Sequence, residues 1–147
     1  MHEQLFHVGV KALILDDKKN ILLLRVNPKN LKFPDKAFWD IPGGRVREKQ
    51  LEETLLEELK EETALDKKDI NLGKVFSITI SHKKNPTDIK GVKLALVVFL
   101  CKLRNKDKKI KLSIEHTECK WVPIGEAKRL LAYKYPKSFT DSLGELG

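Results

Sequence analysis

The sequence predicts an α/β layered sandwich. Apolar, β-type runs stand before and between two helical segments, the order expected of a sheet with helices packed on it. One of those runs, Val92 to Leu103, is long and β-branched, as in a strand buried at the centre of a sheet. The chain has 147 residues, enough for one hydrophobic core and short for two, so residues 1–147 are read as a single domain.

The elements follow in order. Phe6 to Leu15 (FHVGVKALIL) is a mostly apolar strand. Asp16 to Asn20 is a polar turn, and Ile21 to Val26 is a second strand that closes a hairpin. Asn27 to Lys36, with Pro28 and Pro34, is a polar loop. A short strand near Phe38–Ile41 enters the turn Pro42-Gly43-Gly44, and a helix is expected over Lys49 to Thr63. Gly73 to Ser81 is a strand, His82 to Lys90 a loop, Asn105 to Lys109 a charged turn, and Cys119 to Val122 the last strand. Gly125 to Leu131 is a second helix.

The first helix carries the chemistry. Six glutamates (Glu52, Glu53, Glu57, Glu58, Glu61 and Glu62) lie between positions 52 and 62 of a chain whose net charge is +8. At about 100° per residue, Leu51, Leu55 and Leu59 form one row. Glu52, Glu53 and Glu57 point elsewhere, but Glu58 and Glu62 fall within about 20° of the direction of Leu51. Glu61 sits on the flank beside them. Three carboxylates at this spacing repel, by roughly 0.2–0.5 kcal/mol per pair in an isolated helix. A divalent cation between them reverses the sign of that interaction. The alternative is a solvated, glutamate-rich helix of good intrinsic propensity.

Residues 43–65, GGRVREKQLEETLLEELKEETAL, resemble a Nudix box, whose pattern is Gly-x5-Glu-x7-Arg-Glu-U-x-Glu-Glu-x-Gly-U with U a bulky aliphatic. Glu58-Leu59-Lys60-Glu61-Glu62-Thr63 matches its core, Leu65 its final aliphatic and Gly43 its first glycine. The approach FWDIPGGRV also resembles the entry into the box. The resemblance implies an α/β/α sandwich with a mixed sheet. It also implies a metal-dependent hydrolase that cleaves the diphosphate linkage of a nucleoside diphosphate derivative. By the same resemblance Glu58, Glu61 and Glu62 hold Mg²⁺, with Mn²⁺ as a substitute, and Glu58, Glu61 and Glu115 are the catalytic candidates. Three positions depart from the pattern: Lys49 replaces its first glutamate, Glu57 its arginine and Ala64 its late glycine. In the family that arginine pairs with box glutamates, so Glu57 is expected to repel them. Glu48 would stand in for the missing glutamate, and Arg45 or Arg47 for the missing positive charge. These departures favour an alternative, a catalytically weak domain that binds a nucleotide as a sensor.

The charge balance fits either an anionic partner or simply a lysine-rich surface. Residues 48–62 hold seven Glu and two Lys, and removing them from 29 basic and 21 acidic residues leaves 27 against 14. A basic body around an acidic cleft steers a polyanion inward. A small nucleotide suits this arrangement better than RNA, because no RNP-like, KH-like or zinc-knuckle signature is present. No run of about 18 apolar residues suggests a membrane helix, and the N-terminus does not read as a signal peptide. Cys101 and Cys119 lack metal or redox spacing and read as thiols of a reducing cytoplasm.

Several further residues are candidates. Gly43 and Gly44 bend the chain tightly and offer N–H groups to an anion. Arg25 and Lys11, on the first strands, are candidate phosphate contacts. Trp39 and Phe38 are candidates for stacking on a base, against the commoner role of core aromatics. Tyr133 and Tyr135 are candidates for a pocket rim. Glu118 is second to Glu115, and His116 and His82 are read as exposed loop histidines rather than proton carriers.

Overall fold

Seven strands form one mixed sheet in the computed structural model, which describes residues 2–31 and 36–147. The strands are β1 (Phe6–Leu15), β2 (Ile21–Val26), β3 (Trp39–Asp40), β4 (Gly43–Arg45), β5 (Ile70–Ile80), β6 (Lys93–Leu103) and β7 (His116–Val122). The helices are α1 (Leu51–Thr63), α2 (Ile124–Leu131) and α3 (Lys137–Ser142). The sheet runs β3-β2-β1-β6-β5, with β4 also paired to β1 and β7 to β2. β1 and β6 are parallel, in unbroken register from Phe6↔Lys93 to Leu15↔Lys102, and the other pairs are antiparallel. Part of the polar loop expected over 27–36 lies outside the described residues.

Strand alternation divides the core into two layers. Val10, Ala12 and Ile14 of β1 join Leu22 and Leu24 of β2 beneath Leu55 and Leu59 of α1. Leu13, Ile21 and Leu23 face the other way, onto Ala127 and Leu131 of α2 and Phe139 of α3. The result is the expected α/β/α sandwich. No helix among the described residues is long and apolar enough to cross a membrane.

The boundaries differ where tertiary pairing overrides local pattern. β5 starts at Ile70 rather than Gly73, and β7 at His116 rather than Cys119. The polar residues His116-Thr117-Glu118 hide the start of β7, which pairing with β2 supplies. α3 has only six residues and was not expected, yet Phe139 within it is buried.

Ala64 ends α1 in the left-handed conformation, at φ +65°, with its N–H bonded to the carbonyl of Lys60 at 3.1 Å. The late glycine of the box pattern is thus replaced at a position whose geometry still favours glycine. An L-residue here costs roughly 1–2 kcal/mol, partly offset by the greater freedom of unfolded glycine. Ala64→Gly is therefore expected to raise the unfolding free energy by about 0.5–1 kcal/mol. Denaturant melts would check this, and a loss of stability would contradict it.

Candidate active site

Gly43 and Gly44, expected as a turn, instead begin strand β4, which pairs with β1 and lies against α1. Glu62 is 4% exposed, and its Oε1 accepts the Gly43 N–H at 2.8 Å. A β-carbon on Gly43 would stand 2.0 Å from the Val10 carbonyl oxygen. One on Gly44 would stand 2.3 Å from the carboxyl carbon of Glu58. The two glycines are required because backbone and carboxylates share that space. The N–H group expected to hold a substrate anion is, at Gly43, already holding Glu62.

Glu115 arrives from the far end of the chain. Its carbonyl accepts the Asn27 N–H at 2.9 Å, which fixes the turn just before β7. One ligand atom each of Glu62, Glu115 and His116 lies within 4.8 Å of the others. His116 is not the exposed loop residue its sequence suggested: its side chain is 8% exposed and begins β7. A polar cavity of about 510 Å³ is lined by Glu58, Glu62 and Glu115 together with Gly43, Gly44 and Arg47. A second hollow of about 280 Å³ shares Glu62 and Glu115 and extends past His116, Phe38, Lys11 and Lys134. Glu61 is exposed and does not line the cavity, although its charge reaches Glu58.

Crowded acids shift one another. Burial pushes the Glu62 carboxyl up to about 8, with Glu58 and Glu115 adding to the rise against the pull of Lys11 and the Gly43 N–H. Glu58 is raised by burial and then by Glu61 and Glu115. His116 is lowered to about 4 by burial and then by Lys11. Carboxylates held this close, all oxygen donors, form the kind of set a hard divalent cation takes.

A pH dependence follows for the cation-free protein. Folded Glu62 keeps its proton to about pH 8, whereas its ordinary value is 4.5. The folded state binds more protons over that interval, so stability falls as the pH rises through it. His116 acts oppositely, but only below its ordinary 6.5. From pH 6.5 to 8 the chelator-treated protein is expected to lose about 1 kcal/mol, because Lys134, brought down to about 8, offsets part of the Glu62 loss. Thermal melts at both pH values test this, and greater stability at pH 8 would contradict it.

A buried ionic knot forms the floor of the second hollow. Asp40 Oδ2 accepts Lys11 Nζ at 3.1 Å and Lys134 Nζ at 2.6 Å, and Oδ1 accepts the Tyr135 hydroxyl at 2.6 Å. Burial alone would raise Asp40, but the two ammonium groups outweigh it and hold the carboxyl far below its usual range. Burial brings Lys134 down to about 8 despite Asp40. Burial would also lower Lys11, yet Asp40 and Glu62 outweigh it and raise the group. Lys11 is thus a link between this knot and Glu62. Tyr135 is a correction to the expected pocket rim: it is fully buried, stacked on Phe139 at 4.6 Å.

Other candidates stand elsewhere. Arg25 is paired with Glu118 across β2 and β7 at 3.1 Å. Trp39, the strand partner of Arg25, packs on the core beneath α2, with the Lys120 ammonium 4.6 Å from its ring centre. Neither lines the two hollows; Phe38, on the neighbouring alternation, lines the second. His82 is exposed, with Nε2 2.7 Å from the Ala132 carbonyl. Glu57 does not simply repel its neighbours. It is ion-paired with Lys49, so two departures from the box pattern meet as one pair of reversed sign. Sequence reasoning missed Asp40 and Lys134. An aspartate inside an apolar strand signature (FWDI) was the available sign that a buried cation awaited it.

A family model for the NUDIX domain matches residues 5–143. The fold is similar to that of the MutT protein from Methanosarcina mazei Go1, at 26% identity over 99% of this chain and 96% of that one, with a TM-score of 0.72. It is also similar to a C. elegans Ap4A hydrolase in a binary complex, at 20% identity over 95% and 96% of the two chains and a TM-score of 0.74. The E. coli dihydroneopterin triphosphate pyrophosphohydrolase aligns over 97% of each chain at 20% identity and a TM-score of 0.70. At 20% identity the likeness is one of fold. No curated protein matches the sequence.

Proposed function

The chain belongs to the NUDIX domain family, and from that premise we propose that it is a divalent-metal-dependent hydrolase of the diphosphate linkage in nucleoside diphosphate derivatives. One observation carries the reading. Glu58 and Glu62 from α1 and Glu115 from a distant turn converge on a single polar cavity beside the Gly43-Gly44 backbone. Two neighbours of similar fold, an Ap4A hydrolase and a triphosphate pyrophosphohydrolase, are named for chemistry of this kind.

Glu58 and Glu62, with Glu115 opposite and Glu61 at the exposed edge, would hold Mg²⁺ or, in its place, Mn²⁺. Such an ion, when bound, neutralises the diphosphate and lowers the pKa of coordinated water. Glu58 accepts the proton of the attacking water, for which a raised carboxyl is suited. Arg47, on the cavity wall, would stabilise the charge that develops on the leaving group. Asp40 holds Lys11 beside Glu62 and so fixes the electrostatic balance of the floor. The pairing of Lys49 with Glu57 weakens the case for a silent nucleotide sensor, because that case rested on their disrupting the box.

A panel of nucleoside diphosphate derivatives, incubated with and without Mg²⁺, tests the proposal. Metal-dependent release of a nucleoside monophosphate or of phosphate from at least one member is expected. Tight nucleotide binding with no turnover of any member would favour the sensor instead. Mg²⁺ at 100 times its Kd is further expected to stabilise the fold by about 2.7 kcal/mol.

A further inference from the structure

We propose that His116 is a direct metal ligand, so that Glu62, Glu115 and His116 form a mixed nitrogen–oxygen position for a divalent transition-metal ion such as Co²⁺ or Mn²⁺. This inference rests on the metal-dependent reading of the same cavity and assigns part of it a different preference from the all-carboxylate edge of α1. The first observation is proximity: one donor atom from each of the three side chains lies within 4.8 Å of the others. The second is independent of it. The His116 side chain is 8% exposed, and its Nδ1 is buried without a hydrogen-bond partner.

A buried imidazole nitrogen left unpaired is costly unless something satisfies it. The polar atom in front of Nδ1 is Oε2 of Glu62, 3.9 Å away. That separation exceeds a hydrogen bond. It does suit two ligands of one ion, whose donors stand up to about 4.2 Å apart when each bond is near 2.1 Å. The other carboxylate oxygen, Oε1, is occupied by the Gly43 N–H at 2.8 Å, so Oε2 is the atom left for an ion.

The backbone also arranges the convergence. Adjacent residues of a regular strand point to opposite faces, so Glu115 and His116 would ordinarily diverge. Here the register slips opposite Arg25 and Val26, where Arg25 pairs with Glu118 but Val26 with His116. Irregularities of this kind re-aim side chains, often beside functional sites. The Asn27 N–H, bonded to the Glu115 carbonyl at 2.9 Å, holds the turn in that setting. Imidazole suits later first-row ions such as Co²⁺, Ni²⁺ and Zn²⁺ and can also bind Mn²⁺, whereas Mg²⁺ favours oxygen. His116 therefore discriminates among ions without being needed for the oxygen-only one.

Pulsed EPR of Mn²⁺ bound to the intact wild-type chain reads nitrogen coordination directly, and calorimetry of Co²⁺ and Mg²⁺ binding reads the preference. The expected result is modulation from a coordinated imidazole nitrogen in the wild type and its absence in His116→Gln. Co²⁺ affinity should fall at least tenfold in that variant, with Mg²⁺ affinity unchanged. Mn²⁺ bound by oxygen ligands alone, or Co²⁺ affinity indifferent to His116→Gln, would overturn the inference while leaving the hydrolase reading intact. Wild-type protein that binds none of these ions would overturn both. The wild-type spectrum decides the matter even where the variant fails to fold.

Discussion

Glu58→Gln is expected to lower metal-dependent kcat by about 10²–10⁴-fold, the range associated with loss of a positioned general base. The prediction follows from where the carboxylate sits. Glu58 is half-buried, lines the polar cavity and packs against Gly44 so closely that a β-carbon there would clash with it. Glutamine has nearly the same shape, so it keeps that packing and the fold. It cannot accept a proton, and it weakens the grip on a cation. Steady-state kinetics beside a thermal melt separate the two effects. A melting temperature within a few degrees of the wild type, with turnover collapsed, is the expected pair of results. Turnover within threefold of the wild type would remove Glu58 from the mechanism.

Asp40→Asn is expected to destabilise the fold by about 3–5 kcal/mol, the cost of breaking a buried ion pair by removing one partner. Asp40 is 3% exposed and is the anion to which both Lys11 and Lys134 bond. Asparagine preserves the volume and leaves two buried ammonium groups side by side. Lys134, already lowered to about 8, would fall further, so the folded variant would shed a proton that the unfolded chain keeps. Stability of the variant then rises with pH, and its deficit should narrow as the pH approaches 8. Chemical denaturation at pH 6 and pH 8 measures both the size and the trend. A deficit under about 1 kcal/mol, or one that widens with pH, would show that the knot is not held by charge. The variant also bears on function, since Lys11 would lose the partner that keeps it beside Glu62.

The parts of this molecule that were legible in the sequence are those written in local periodicity. Leu51, Leu55 and Leu59 announce the buried stripe of α1, and the same angular count places Glu62 inside and leaves Glu61 on the flank, as the structure does. β1 and β2 were equally plain, because each is a mostly apolar run and a polar turn separates them. What was not legible depends on partners distant along the chain. Lys11 and Lys134 meet at Asp40 from 29 and 94 residues away, and no local pattern relates them. Lys49 precedes the helix, so helical geometry alone does not bring it to Glu57. His116 looked like a loop residue because polar neighbours mask the start of β7. Arg25 and Trp39 stand outside the two hollows for a related reason: strand pairing fixed which face each side chain takes.

Glu58, Glu62 and Glu115 are proposed to grip a divalent ion against a diphosphate. Anomalous diffraction from a crystal grown with Mn²⁺ and a non-hydrolysable nucleoside diphosphate analogue tests it most directly. An anomalous peak is expected inside the cavity, within coordination distance of those carboxylates and of the analogue's phosphate oxygens. A peak bound elsewhere on the chain, or an analogue seated with no ion between it and these side chains, would contradict it.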